Sequence, residues 1–142
     1  MAATLTAFLA GNARRPANRK IAVSARFTDA DGRPLEWEVT CISAAENQKL
    51  RQASLHQTPV PGRRGQFRQE VDAAKYQAGL AARCTVFPDL NDAALQESWG
   101  VMGAEALVGA MLTPGEFDTL VAEILDLCGF ADAEELTEAA KN

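Results

Sequence analysis

Ile21, Val23, Ala25 and Phe27 alternate with Ala22, Ser24 and Arg26, and after the six residues DADGRP the alternation resumes. Leu35, Trp37, Val39 and Cys41 then alternate with Glu36, Glu38 and Thr40. Period-two patterning on both sides of an Asp-Gly turn predicts a half-buried antiparallel hairpin, residues 21–28 paired with 35–42. Its apolar face (Val23, Phe27, Leu35, Trp37, Val39) calls for helical cover, because a lone hairpin is marginal in water.

The remaining pattern is helical or connecting. Residues 5–12 predict a short helix with Gly11-Asn12 as its stop, and 12–20 is a basic linker. Ser43 with Glu46 has capping-box spacing and opens a helix to about Leu55. The stretch 58–65, TPVPGRRG, reads as loop. Phe67, Val71, Ala74, Ala78 and Ala81 make one stripe, which predicts a helix over 67–83. Phe87-Pro88-Asp89 breaks it, Asn91 caps a short helix to about Trp99, and 104–112 forms another. Thr113, Pro114 and Glu116 then occupy N-cap, N1 and N3 of a helix. That helix puts Phe117, Leu120, Val121, Ile124, Leu127 and Cys128 on one face, and Gly129 sits at its C′ position. Asp132 with Glu135 starts a final helix. The chain therefore reads as one α+β domain, 1–142: a β-hairpin or small antiparallel sheet (21–42), then a helical part (43–142) of five or six short α-helices.

Composition changes this picture little. With 47% hydrophobic and 23% charged residues in 142, the chain is an ordinary globular domain. No apolar run reaches the roughly 20 residues that cross a bilayer, and Met1–Gly11 has no basic residue ahead of its apolar part, a poor secretory signal. Three widely spaced cysteines suit a reducing cytoplasm. Charge is more telling. Residues 1–84 carry 13 Lys+Arg against 7 Asp+Glu, whereas residues 85–142 carry one Lys against 12 acids, for a net charge of −5. A basic front and acidic back point to partners met by electrostatic orientation more than to catalysis.

The candidate chemical sites are thin. Asp29-Ala30-Asp31-Gly32 opens like a calcium loop, but Arg33 and Thr40 stand where that motif needs ligands, so it reads as a turn. His56 has no cysteine at metal-ligand spacing, and Cys41 and Cys128 fall on apolar faces, as buried cysteines do. Arg14, Arg15, Arg19, Lys20, Arg63, Arg64 and Arg68 come without any nucleic-acid-binding motif, and the acidic half opposes such binding. There is no Gly-rich phosphate loop, HExxH or GxSxG. No catalytic residue, cofactor or metal is assigned. What remains is the apolar stripe of 117–128, flanked by Glu116, Asp118, Glu123 and Asp126, which suits an amphipathic helix with basic flanks. These four acids are the candidate partner-binding residues.

The segments FLAGN (8–12), SARFTDADGRPLEWEV closed by Ile42-Ser43, KLRQAS (49–54), 88–112 and 114–130 appear in an order that resembles the XkdN-like phage tail assembly chaperones. The resemblance covers most of the chain but not 56–66, and it carries no catalytic residues. It implies a non-enzymatic phage or prophage protein, acting in the cytoplasm of the bacterial host. Such a protein binds the tape measure protein and keeps its apolar helical segments soluble while the tail tube grows. A frameshifted longer form of the same chain would be a second partner. Alternatives are a structural adaptor retained in the tail, and a prophage nucleic-acid-binding regulator.

Overall fold

The computed structural model of the chain describes residues 2–130. The order is α1 (Ala2–Ala7), β1 (Arg19–Ile21), β2 (Trp37–Val39), α2 (Ala44–Ala53), β3 (Leu55–Pro59), β4 (Phe67–Val71), α3 (Ala73–Cys84), β5 (Thr85–Phe87), α4 (Ala93–Ser98), α5 (Ala104–Met111) and α6 (Pro114–Leu127). This is an α+β fold. The helix expected from Asp132 lies outside the described residues.

A three-stranded antiparallel sheet, ordered β1-β2-β5, forms one wall of the core. Arg19 pairs with Val39 and Ile21 with Trp37, while Val39 pairs with Thr85 across a bulge. The hairpin expected over 21–28 and 35–42 is thus present but shorter. Its turn end closes through a Thr28–Pro34 bridge and a bond from the Leu35 amide to the Phe27 carbonyl, 2.8 Å. Six residues between Ile21 and Thr28 face two between Pro34 and Trp37. The surplus bends out at 25–27, where Arg26 leaves the sheet for α6. Continuous alternation does not reveal such a bend, because the apolar positions Val23 and Phe27 keep their even spacing through it.

Helices α3, α5 and α6 supply the other wall. Trp37, Val39, Leu80, Cys84, Leu90, Leu107, Val108, Leu120 and Ile124 are all buried in one cluster. Gly79 makes the α3 contacts close. A Cβ there would stand 3.3 Å from Leu50 Cδ2 and 3.4 Å from Glu105 Oε1, so α2 and α5 approach where a side chain is missing. Leu35, expected on the buried face, is 38% exposed.

The final described helix keeps to its sequence signals. The Glu116 amide donates to Thr113 Oγ1 and the Thr113 amide to Glu116 Oε1, closing a capping box. At the other end Gly129 has φ of 80°. Its amide donates to Asp126 O and that of Phe130 to Leu125 O, the paired bonds of a Schellman ending.

Two expectations fail after α2. Residues 55–71 are not loop followed by helix: β3 and β4 form a second hairpin, pairing Leu55 with Val71 through Pro59 with Phe67. Phe67 and Val71 are four apart, a spacing that satisfies a strand's period of two as well as a helical stripe. Helix α3 starts only after Asp72, whose carboxylate accepts from the Lys75 amide at 3.2 Å. The cap of α4 is likewise Asp92 rather than Asn91. Asp92 Oδ1 accepts from the Leu95 amide at 2.8 Å, whereas the Asn91 amide donates to Asp89.

Candidate functional site

The four acids of α6 have unequal surroundings. Glu116 meets Arg26, which reaches it from the bend after β1: Nη2 donates to Oε1 at 2.5 Å and Nε to Oε2 at 3.2 Å. The same Nη2 donates to the Met111 carbonyl at 2.6 Å, closing the end of α5. The guanidinium also lies 5.0 Å from the centre of the Phe27 ring. This fork, together with the Ser24 hydroxyl and the Thr113 amide, holds the Glu116 carboxyl well below the usual carboxylate range. Glu123 and Asp126 lie one turn apart and share Arg19, whose Nη1 donates to them at 2.9 and 2.8 Å. The two carboxylates raise the Arg19 pKa, Asp126 most. Asp118 is exposed and makes no ion pair among the described residues.

Three of the four candidate acids are therefore engaged by arginines of the basic front. Arg19 and Arg26 were not singled out for this. Nothing in their spacing betrays it, because their partners lie 90 to 107 residues away.

The cysteines converge more than their spacing implied. Cys128, at the end of α6, lies near enough to Cys41 and Cys84 to raise both thiols. Burial pushes the Cys84 thiol up to about 12, and Cys41 is raised by burial and by Cys128. At neutral pH Cys41 and Cys84 stay thiols, which are weak nucleophiles and weak ligands. Among the described residues no group of His, Cys, Asp or Glu is placed to hold a metal ion. His56 sits far along the chain from the thiols, on β3, paired with Glu70.

Surface apolarity is more prominent. Leu5, Phe8 and Leu9 on and after α1 are 54 to 78% exposed, and Met102 is 91% exposed. Met102 borders a concavity of about 640 Å³ between α3 and α5, with Leu50, Gly79, Ala82, Ala104 and Glu105 among its walls. A second, of about 320 Å³, lies between the start of α2 and the end of α6, bounded by Ile42, Asn47, Cys128 and Phe130. No helix of the described residues is long and apolar enough to cross a membrane.

By its sequence, this α+β chain falls in a known class of phage proteins. The model for the phage XkdN-like tail assembly chaperone protein family matches residues 5–141, and the chain belongs to that family. It is 26% identical over 140 residues to "Uncharacterized protein YqbN" of Bacillus subtilis (strain 168), and 25% identical over 140 residues to "Phage-like element PBSX protein XkdN" of the same strain. Each match spans 97% of this chain and 93% of the relative. The crystal structure of the protein YqbN superposes with a TM-score of 0.73 at 18% identity, covering 89% of this chain and 96% of that one. That likeness concerns the fold.

Proposed function

We propose that this chain is a non-enzymatic chaperone that binds the tape measure protein in the cytoplasm of the bacterial host and keeps it soluble during tail assembly. Membership of the tail assembly chaperone family carries the reading. The open concavity beside Met102 supports it: a helix with an apolar stripe fits such a groove, and flexible methionine side chains repack around varied sequences. A holder of many similar segments needs adaptable, reversible contacts more than one fitted interface. The acidic face of α6 steers basic-flanked segments of that partner, with Asp118 the candidate acid that makes no ion pair among the described residues.

Co-expression with the tape measure protein of the same phage genome tests this. The soluble fraction of the tape measure should rise and the two chains should co-purify. An insoluble tape measure and no complex at low salt would defeat the proposal. The chain should also be missing from purified mature tails. Stoichiometric recovery there by mass spectrometry would favour an adaptor that stays in the particle.

A further inference from the structure

The β3–β4 ribbon stands apart from the core: none of its ten strand residues is buried. Its cross-strand pairs sort onto two faces. His56/Glu70 and Thr58/Arg68 form a polar face on which Thr58 and Arg68 both engage Glu70. Arg68 Nε lies 2.7 Å from Glu70 Oε1, and Thr58 Oγ1 donates to Glu70 Oε2 at 3.4 Å. Leu55/Val71, Gln57/Gln69 and Pro59/Phe67 form the other. There Leu55, Val71 and Phe67 are 39, 36 and 58% exposed. A two-stranded ribbon is marginal by itself, so an open apolar face on one is stabilised by whatever covers it.

The tip indicates what that is. Residues 60–66 close on themselves through backbone bonds between Val60, Arg63 and Gln66. A concavity of about 520 Å³ opens there, with Pro59, Val60 and Phe67 as apolar walls and Arg63 and Arg64 on its rim. Neither arginine forms an ion pair among the described residues, whereas Arg19, Arg26, Arg68 and Arg83 all do. An apolar pocket rimmed by two unengaged guanidiniums matches an apolar side chain beside a carboxylate, since guanidinium binds carboxylate in a two-point fork.

Spacing narrows the partner. The pairs Leu55/Val71 and Pro59/Phe67 are four strand residues apart, about 13 Å at strand rise. On a helix, seven or eight residues rise about 10–12 Å and return to the same face. We infer that the ribbon is a docking arm for an amphipathic helical segment of a partner polypeptide. Its two apolar anchors are two turns apart, a polar residue between them faces Gln57 and Gln69, and an acidic residue stands beside the tip anchor. This deepens the chaperone reading and rests on it, with the tape measure protein as the chain that supplies the segment.

The full-length chain, titrated with the co-produced tape measure protein, tests the arm. The variants are Phe67→Ser, the pair Arg63→Glu/Arg64→Glu, and Arg14→Glu/Arg15→Glu as a control elsewhere on the surface. Circular dichroism and thermal melts confirm that each folds. Both arm variants should weaken binding at least about tenfold, and the control by no more than about twofold. Wild-type binding with both arm variants unchanged would overturn the arm and leave the chaperone proposal standing. No binding by wild type would overturn both. Two further results would reassign the face and sink the inference. One is duplex DNA binding that depends on Arg63 and Arg64 while Phe67→Ser leaves tape measure affinity intact. The other is a loss of self-association, by sedimentation, with tape measure affinity unchanged.

Discussion

Replacing Trp37 with alanine strikes the point where the small sheet meets the helices. Trp37 is 2% exposed and its neighbour in β2, Val39, is fully buried. The Trp37 ring lies 6.4 Å from that of Phe27, which stands 6.3 Å from Trp99 in an edge-on contact. Removing so large a buried side chain costs about 3–5 kcal/mol, the sum of lost transfer energy and the cavity left behind. Domains of this size are stable by only about 5–15 kcal/mol. With a urea slope near 2 kcal/mol/M, the midpoint should therefore fall by roughly 1.5–2.5 M. Equilibrium urea unfolding followed by circular dichroism measures this, with Trp99 fluorescence as a second probe. Trp99→Ala is the matched control. Trp99 is 37% exposed, so its loss should cost less than that of Trp37. A loss below about 1 kcal/mol for Trp37→Ala would refute the claim that the sheet is closed by the helices and holds the core.

Thr113→Ala should cost about 1 kcal/mol in the same assay, by removing the hydroxyl that accepts from the Glu116 amide; no change would mean the cap is replaced by water. The Glu116 carboxyl titrates below its unfolded-state value, so the stability it contributes is complete above about pH 4.3 and is lost as pH falls through its lower folded value. Stability of Glu116→Gln should accordingly fall less steeply than wild type on acidification below about pH 4 in urea titrations at fixed pH. Asp118→Asn should slow association with the tape measure protein, more at low than at high salt, while leaving the melting temperature unchanged; identical rates in stopped-flow measurements would remove α6 from the steering role.

Much of the fold was legible because local chemistry and tertiary context agree. In α6 the cap, the apolar stripe and the C′ glycine each act within one element, and all three stand as the sequence implied. The β1–β2 pairing was legible for the same reason, though not its bend. The β3–β4 arm was not. Its two prolines and two glycines mark a turn correctly, but Leu55, Gln57 and Pro59 opposite Val71, Gln69 and Phe67 are too sparsely apolar to announce strands. An arm with no fully buried strand residue carries no strong hydrophobic pattern. The acids were legible as a face, and their partners were not, because an ion pair across about a hundred residues leaves no local trace.

The segregation of charge along the chain looks different once those pairs are known. A basic front and an acidic back suggest a dipolar surface offered to a partner. In the folded chain Arg19 and Arg26 carry the front onto α6 and engage Glu116, Glu123 and Asp126. Exposed pairs of this kind add little stability singly, but they are directional. Arg26 ties the bend after β1 both to the N-terminal turn of α6 and to the Met111 carbonyl at the end of α5, so it helps set how the sheet sits against the helices. Part of the asymmetry is thus spent inside the molecule. The proposed guidance of a partner would draw instead on groups that make no ion pair among the described residues, Asp118, Glu97, Glu105, Arg63 and Arg64 among them. Neutralising Glu116, Glu123 and Asp126 together would loosen the fold and alter the field at once, and a slower association in that variant would have two causes. A single change at Asp118 leaves those ion pairs in place, so a slower association there would have one cause.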